Sequence, residues 1–225
     1  MSLARRLWVD NAELAGRALA HPFVRGIADG SLPREVFSGY VAQDAYFLEA
    51  FARAYALALA ASPDTETVLA FAGLIAGVRD ELSMHAGYAA RWGVDPSTTS
   101  PAEATLAYTE FLLATAATGT VGLVCAAMTP CMRLYAHLGQ SLALEGVAAD
   151  SSYGSWVTAY ADPAFGILAD QLEALLDAHA TDTPAVWAAY GRAMRLELAF
   201  FDAAYTLRRA VLGETASQSD PHSAH

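Results

Sequence analysis

Ala126-Ala127-Met128-Thr129-Pro130-Cys131-Met132-Arg133-Leu134-Tyr135 is the stretch on which the reading of this chain turns. The residues three and four positions from Cys131 are Ala127, Met128, Leu134 and Tyr135, so on a helix the thiol shares an apolar, aromatic-edged face. Pro130 removes one backbone hydrogen bond immediately before it, and a proline inside a helix calls for a reason. A small buried thiol is ordinarily packing alone.

Outward from this stretch the same periodicity governs the whole sequence. Alanine, leucine and arginine are abundant, and no segment keeps the strict alternation of a half-buried strand. The expected fold is therefore all-α, a single-domain helical bundle spanning residues 1–212, with a polar, disordered tail over 213–225. Start signals lie at Pro33, Ser62-Pro63-Asp64, Asp162-Pro163 and Thr183-Pro184. Ser100-Pro101-Ala102-Glu103 has the form of a capping box with proline at the first helical position. They predict helices near residues 3–19, 33–61, 64–92, 101–117, 120–145, 152–160, 163–179 and 184–211. His21 reads as part of the turn into Pro22. No internal repeat or sustained heptad argues for a solenoid or coiled coil.

The 225 residues carry 13 basic and 24 acidic side chains, a formal net charge of −11, which disfavours direct nucleic-acid binding and anionic membranes. Every one of the basic residues is arginine; without lysine, Schiff-base chemistry and phosphate-loop lysines are excluded. Cys125 and Cys131 lie about 240° apart on a helix, a poor disulfide geometry, and read as reduced, cytoplasmic thiols. No export signal follows Arg5 and Arg6. Phe111–Met128 lacks charge over a length that could span a membrane, but Thr115, Thr118, Gly119, Thr120 and Gly122 favour a turn between two buried helices.

Two carboxylates sit on apolar stripes. Asp44 is followed by Phe47, Leu48, Phe51 and Tyr55, and Glu197 is flanked by Ala193, Met194, Phe200 and Phe201. Desolvation raises a carboxyl pKa toward the range useful for proton transfer. Glu110 passes the same test, and a carboxylate taken alone is more often a cap or an interhelical hydrogen bond than a catalytic group. Glu81 and His85, at i,i+4, offer two metal ligands on one face, a weak signal without two more. His137 and His179 read as surface or core residues.

His21-Pro22-Phe23-Val24 through Asp29-Gly30-Ser31-Leu32-Pro33, Tyr40-Val41-Ala42-Gln43-Asp44, Tyr108-Thr109, Pro130-Cys131 and Trp156-Val157 through Tyr160 together, in this order, resemble the TenA family of thiaminase II-like aminopyrimidine aminohydrolases. The resemblance runs from about His21 to Phe201. It implies a haem-oxygenase-like bundle, a cytoplasmic homotetramer, and a small-molecule aminopyrimidine substrate, with no cofactor and no metal. Carried over by position, it implies Cys131 as nucleophile, Glu197 as proton donor and acceptor, and Asp44 as the partner of the pyrimidine's exocyclic amine. Tyr108, Tyr135 and Tyr160 fall on family tyrosines that line the ring or the thiol. Phe47 stands where the family often has tyrosine, and Met132 and Arg133 where it has larger aromatics. Two other readings remain open: a dimetal oxidase of the same fold, for which no histidine lies within helical reach of Glu197 or Asp202, and a non-catalytic binding or regulatory protein.

Overall fold

In a computed structural model of the chain, which describes residues 1–92, 100–148 and 151–217, ten helices account for the described architecture. They are α1 (Leu3–Asp10), α2 (Ala12–Leu19), α3 (Pro22–Asp29), α4 (Arg34–Ala60), α5 (Thr65–Trp92), α6 (Glu103–Thr118), α7 (Val121–Glu145), α8 (Gly154–Ala161), α9 (Pro163–His179) and α10 (Pro184–Ser217). The described residues contain no strand. The long helices α4, α7 and α10 form the centre. α4 packs between α5 and α6, and α7 is enclosed by α8, α9 and α10.

The expected first helix over 3–19 is two helices. Asn11 ends α1 by turning its side chain back to the Leu7 carbonyl, 2.8 Å away, and its backbone leaves the helical region before α2 begins. The segment around His21 is not merely a turn. His21 caps α3, its Nδ1 accepting from the Phe23 N–H at 3.1 Å, and Pro22 occupies the first turn, where a missing N–H costs nothing. An imidazole in place of the usual Ser, Thr or Asp hid this helix start.

The capping box proposed at Ser100 is also corrected. α6 begins at Glu103 with Ala102 at the cap and no side-chain cap from its own segment. Gln43 of α4 supplies it instead: Oε1 accepts from the Ala102 N–H (2.8 Å) and the Thr105 hydroxyl (2.6 Å), while Nε2 donates to the Ser100 carbonyl (3.1 Å). At the other end, α10 continues through Ser217, past the expected boundary at 211 and into the polar tail; residues 218–225 lie outside the described residues.

The turn expected within Phe111–Met128 is present, with α6 ending at Thr118 and the Thr120 side chain capping α7. α7 is long and apolar enough to cross a membrane, yet 83% of its most apolar window is buried by the other helices, which identifies it as the core of the bundle. Pro130 sits within α7 without ending it. Gly139 allows a close helix approach: a Cβ there would lie 2.4 Å from the Tyr160 carbonyl carbon, so α8 rests directly on α7 backbone.

Candidate active site

α7 presents the half-buried Cys131 thiol beside the Glu197 carboxylate of α10, close enough for each to shift the other's titration. Glu197 is 2% exposed. Its Oε1 accepts from the Tyr108 hydroxyl of α6 at 2.7 Å. Three helices thus converge on one buried carboxyl. Burial pushes Glu197 up to about 7, against the lowering pull of the Tyr108 and Cys131 donors. Burial first, then the Glu197 charge, drives the Cys131 thiol well above its ordinary value. At neutral pH the proton rests on sulfur, with a carboxylate poised near its own midpoint to accept it.

Asp44 lies on α4 in an adjoining group. Its Oδ2 accepts from Tyr40 (3.4 Å) and stands 3.2 Å from His85 Nε2 of α5. Burial lowers His85 to about 4, partly offset by the Val41 carbonyl. Burial raises Asp44 well above the usual carboxylate range, reinforced by Glu81 and then Glu197. Both shifts work against an Asp44–His85 ion pair. Neither His85 nitrogen has a well-aligned hydrogen-bond partner. Glu81, also pushed up to about 7 by burial, accepts from the Tyr160 hydroxyl.

Aromatic rings enclose these groups. Phe47 packs on Tyr108 with ring centres 4.8 Å apart, and Tyr135 meets Tyr160 edge-on at 4.8 Å. The Tyr135 and Tyr40 hydroxyls are 3.2 Å apart, and Trp156 Nε1 donates to Tyr40 at 3.4 Å. All seven residues singled out from sequence thus fall in one interior region. Glu81, His85, Tyr40 and Trp156 complete it. Glu81 and His85 were visible only as a possible ligand pair, and Tyr40 and Trp156 only as members of the motifs that carry the resemblance. Glu110, which passed the same spacing test as Glu197, faces outward and is exposed. Arg133 also turns away, fixed to α9 by a bidentate pair with Glu173 at 2.6 and 2.7 Å.

Asp44, Glu81 and His85 place one donor atom each within 4.8 Å of one another, a spacing that could hold a cation. Asp202 has a histidine partner that helical spacing could not reveal: His21 Nε2 lies 3.1 Å from Oδ1, on an aspartate that is 73% exposed. Two grooves reach the region from outside. One of about 260 Å³ is floored by Glu81 and Tyr160 between α5, α8 and α9, and one of about 410 Å³ lies against Gln43 and Phe200.

The helical bundle has the haem-oxygenase-like fold. A domain of unknown function with a haem-oxygenase-like fold from Shewanella denitrificans superposes with a TM-score of 0.71 at 15% identity, covering 98% of both chains. The sequence profile of the TENA/THI-4/PQQC family matches residues 9–207, and the chain belongs to that family. It is similar to an aminopyrimidine aminohydrolase of Halalkalibacterium halodurans, 34% identical and covering 92% of this chain and 97% of the relative. It is equally similar, at 34% identity over 90% of this chain, to the mitochondrial bifunctional TH2 protein of Arabidopsis thaliana, of whose length it spans 37%. A TenA family transcription regulator from Silicibacter sp. has a TM-score of 0.83 at 28% identity, covering 90% of this chain and 96% of that one.

Proposed function

We propose that this chain is a hydrolase of thiamin-pyrimidine compounds, releasing ammonia from 4-amino-5-aminomethyl-2-methylpyrimidine, and able to cleave thiamin, to give the hydroxymethylpyrimidine for salvage. The observation that carries the reading is the Cys131 thiol grouped with the buried Glu197–Tyr108 pair, a candidate nucleophile beside a carboxyl that burial pushes up to about 7. Glu197 takes the Cys131 proton, and the thiolate adds to the ring carbon next to the one bearing the aminomethyl group. The ring electrons expel the amine, which collects the proton from Glu197 and leaves as ammonia. Water then adds to the exocyclic methylene, giving its proton to Glu197. The ring regains aromaticity by expelling the thiolate, which recovers that proton. Atoms and charge balance, and no external base is required.

Asp44 would hold the 4-amino group, with Phe47, Tyr135 and Tyr160 walling the ring. The two unpaired thiols suit a reducing cytoplasm. A homotetramer is proposed on the family resemblance, with light scattering as its test. The decisive measurement is ammonia release from the aminomethylpyrimidine and alcohol formation from thiamin. Wild type should turn over at least the first; Cys131→Ser should lose turnover while remaining folded; Glu197→Gln should lose about a hundredfold to ten-thousandfold in kcat with affinity largely kept. Wild-type turnover in Cys131→Ser would reject covalent catalysis, and its absence from wild type on both compounds would reject the substrate class.

A further inference from the structure

The proposed reaction occupies Cys131, Glu197 and Asp44 and leaves a third interior acid, Glu81, without a task. Glu81 stands on α5, one of its oxygens accepting from the Tyr160 hydroxyl of α8. It offers a donor atom within 4.8 Å of those of Asp44 and His85, which is the spacing of a cation site. Asp44 and His85 are buried, whereas Glu81 is half-buried and opens on the groove of about 260 Å³ between α5, α8 and α9. In the same cluster, His85 is 2% exposed and neither of its nitrogens has a well-aligned hydrogen-bond partner. A native fold that keeps such a group usually assigns it a ligand or a role.

The groove is acidic and apolar. Asp80, Glu81 and Asp162 line it with Met84, Phe165 and Leu168, and none of its lining residues is basic. Asp80 is exposed and paired with Arg79 at 2.8 Å, and Asp162 caps α9 through the Ala164 N–H at 2.8 Å. Glu81 is the lining acid that also belongs to the interior cluster. A complete small-ligand pocket usually has about 300–1,000 Å³, so this groove suits one ring of a two-ring substrate. In the proposed substrate the carbon bearing the leaving group lies between the carbon bearing the 4-amine and the carbon attacked by sulfur. With the amine at Asp44, the leaving group comes within reach of the donors that adjoin Asp44. Of these, Glu81 faces the groove, which is where a departing group must go. The departing nitrogen carries N–H donors in the aminomethyl compound and a fixed positive charge in thiamin, and both complement a carboxylate.

We propose, resting on the aminopyrimidine reading, that Glu81 and the α5–α8–α9 groove form the subsite for the departing group. The carboxylate faces the departing nitrogen, and the groove takes a cationic ring of the size of the thiazolium of thiamin. The interior acids are then divided, Glu197 serving the thiol and Glu81 the group that leaves. A carboxylate that meets positive charge already present on the substrate contributes to affinity rather than to the chemical step.

The test measures dissociation constants by calorimetry at pH 8, in the full chain carrying Cys131→Ser so that no ligand is turned over, and with EDTA present to exclude divalent metal. Two ligands share the pyrimidine ring and differ in the group on its 5-methylene carbon: thiamin, and the neutral hydroxymethylpyrimidine. Glutamine at position 81 keeps the side chain's size and still accepts from Tyr160, but it removes the charge. Glu81→Gln should weaken thiamin about tenfold to a hundredfold and leave the hydroxymethylpyrimidine within about threefold. Ala164→Trp, which fills the groove from an exposed position, should weaken thiamin at least about tenfold more than the hydroxymethylpyrimidine. Equal losses for the two ligands in both variants, as a purely structural role would give, overturn the proposal. So does undiminished thiamin affinity in either variant, or a parent protein that binds the hydroxymethylpyrimidine but not thiamin. Failure of the parent to bind either ligand rejects the aminopyrimidine reading and this subsite with it, whereas binding without the selective loss rejects the subsite alone.

Discussion

Asp44 has two oxygens in different circumstances. Oδ2 faces the Tyr40 hydroxyl and His85, so the other oxygen can accept an N–H from a ligand. Asparagine keeps only one accepting oxygen: it either serves the ligand's amine and gives up the bond donated by Tyr40, or keeps that bond and turns its NH2 against the ligand's amine. Asp44→Asn should therefore weaken binding of a 4-aminopyrimidine about tenfold to a hundredfold, with little effect on a pyrimidine lacking that amine. Equal dissociation constants for the two proteins, by calorimetry, would remove Asp44 from the ligand contact. Cys131, Glu197 and Asp44 were legible in sequence because each stands alone on an apolar stripe. Glu110 shows the limit of that signal: spacing reports neighbours on the same helix but not whether another helix covers them. Glu81 and His85 were seen only as a ligand pair for the complementary reason, since their surroundings come from α4 and α8.

Helix boundaries show the same division between local and distant causes. Proline and capping signals placed α4, α5, α7, α9 and α10 nearly where they lie. The α1–α2 break escaped because Asn11 ends the helix with a side-chain bond to Leu7, a choice asparagine does not always make. The α6 start was misplaced because its cap comes from Gln43, some 60 positions earlier, which sequence near Ser100 cannot disclose. Contact between α7 and α8 is a vulnerable joint. A methyl on Gly139 would press on the Tyr160 backbone at 2.4 Å, where no flexible side chain can yield. Gly139→Ala should cost about 1–3 kcal/mol in denaturant unfolding and shift Tyr160 away from Glu81. A stability equal to wild type would mean that α8 can lift from α7 without loss.

Across the whole molecule, the buried acids tie stability to pH. Glu197 titrates near 4.5 when unfolded and about 7 when folded, so folding favours its neutral form. That stabilisation is complete below about pH 4.5 and is lost as pH rises through 7, amounting to about 3 kcal/mol. His85, lowered to about 4, acts in the opposite direction between pH 4 and 6.5, so the variant comparison is cleaner than the raw curve. The thermal midpoint of Glu197→Gln relative to wild type should climb from pH 5 to about pH 7 and level off by pH 8. A difference that stays flat over that range would place the Glu197 pKa near its unfolded value and remove the basis for its role as base. The crowding of Asp44, Glu81 and Glu197 has an evolutionary corollary. Amides at these positions would still accept from Tyr40, Tyr108 and Tyr160 without burying a charge, so the proposed chemistry is what opposes that drift. A lineage released from the need for the reaction should keep its helices and shed its interior acids first, making those three positions a record of whether descendants still use the site.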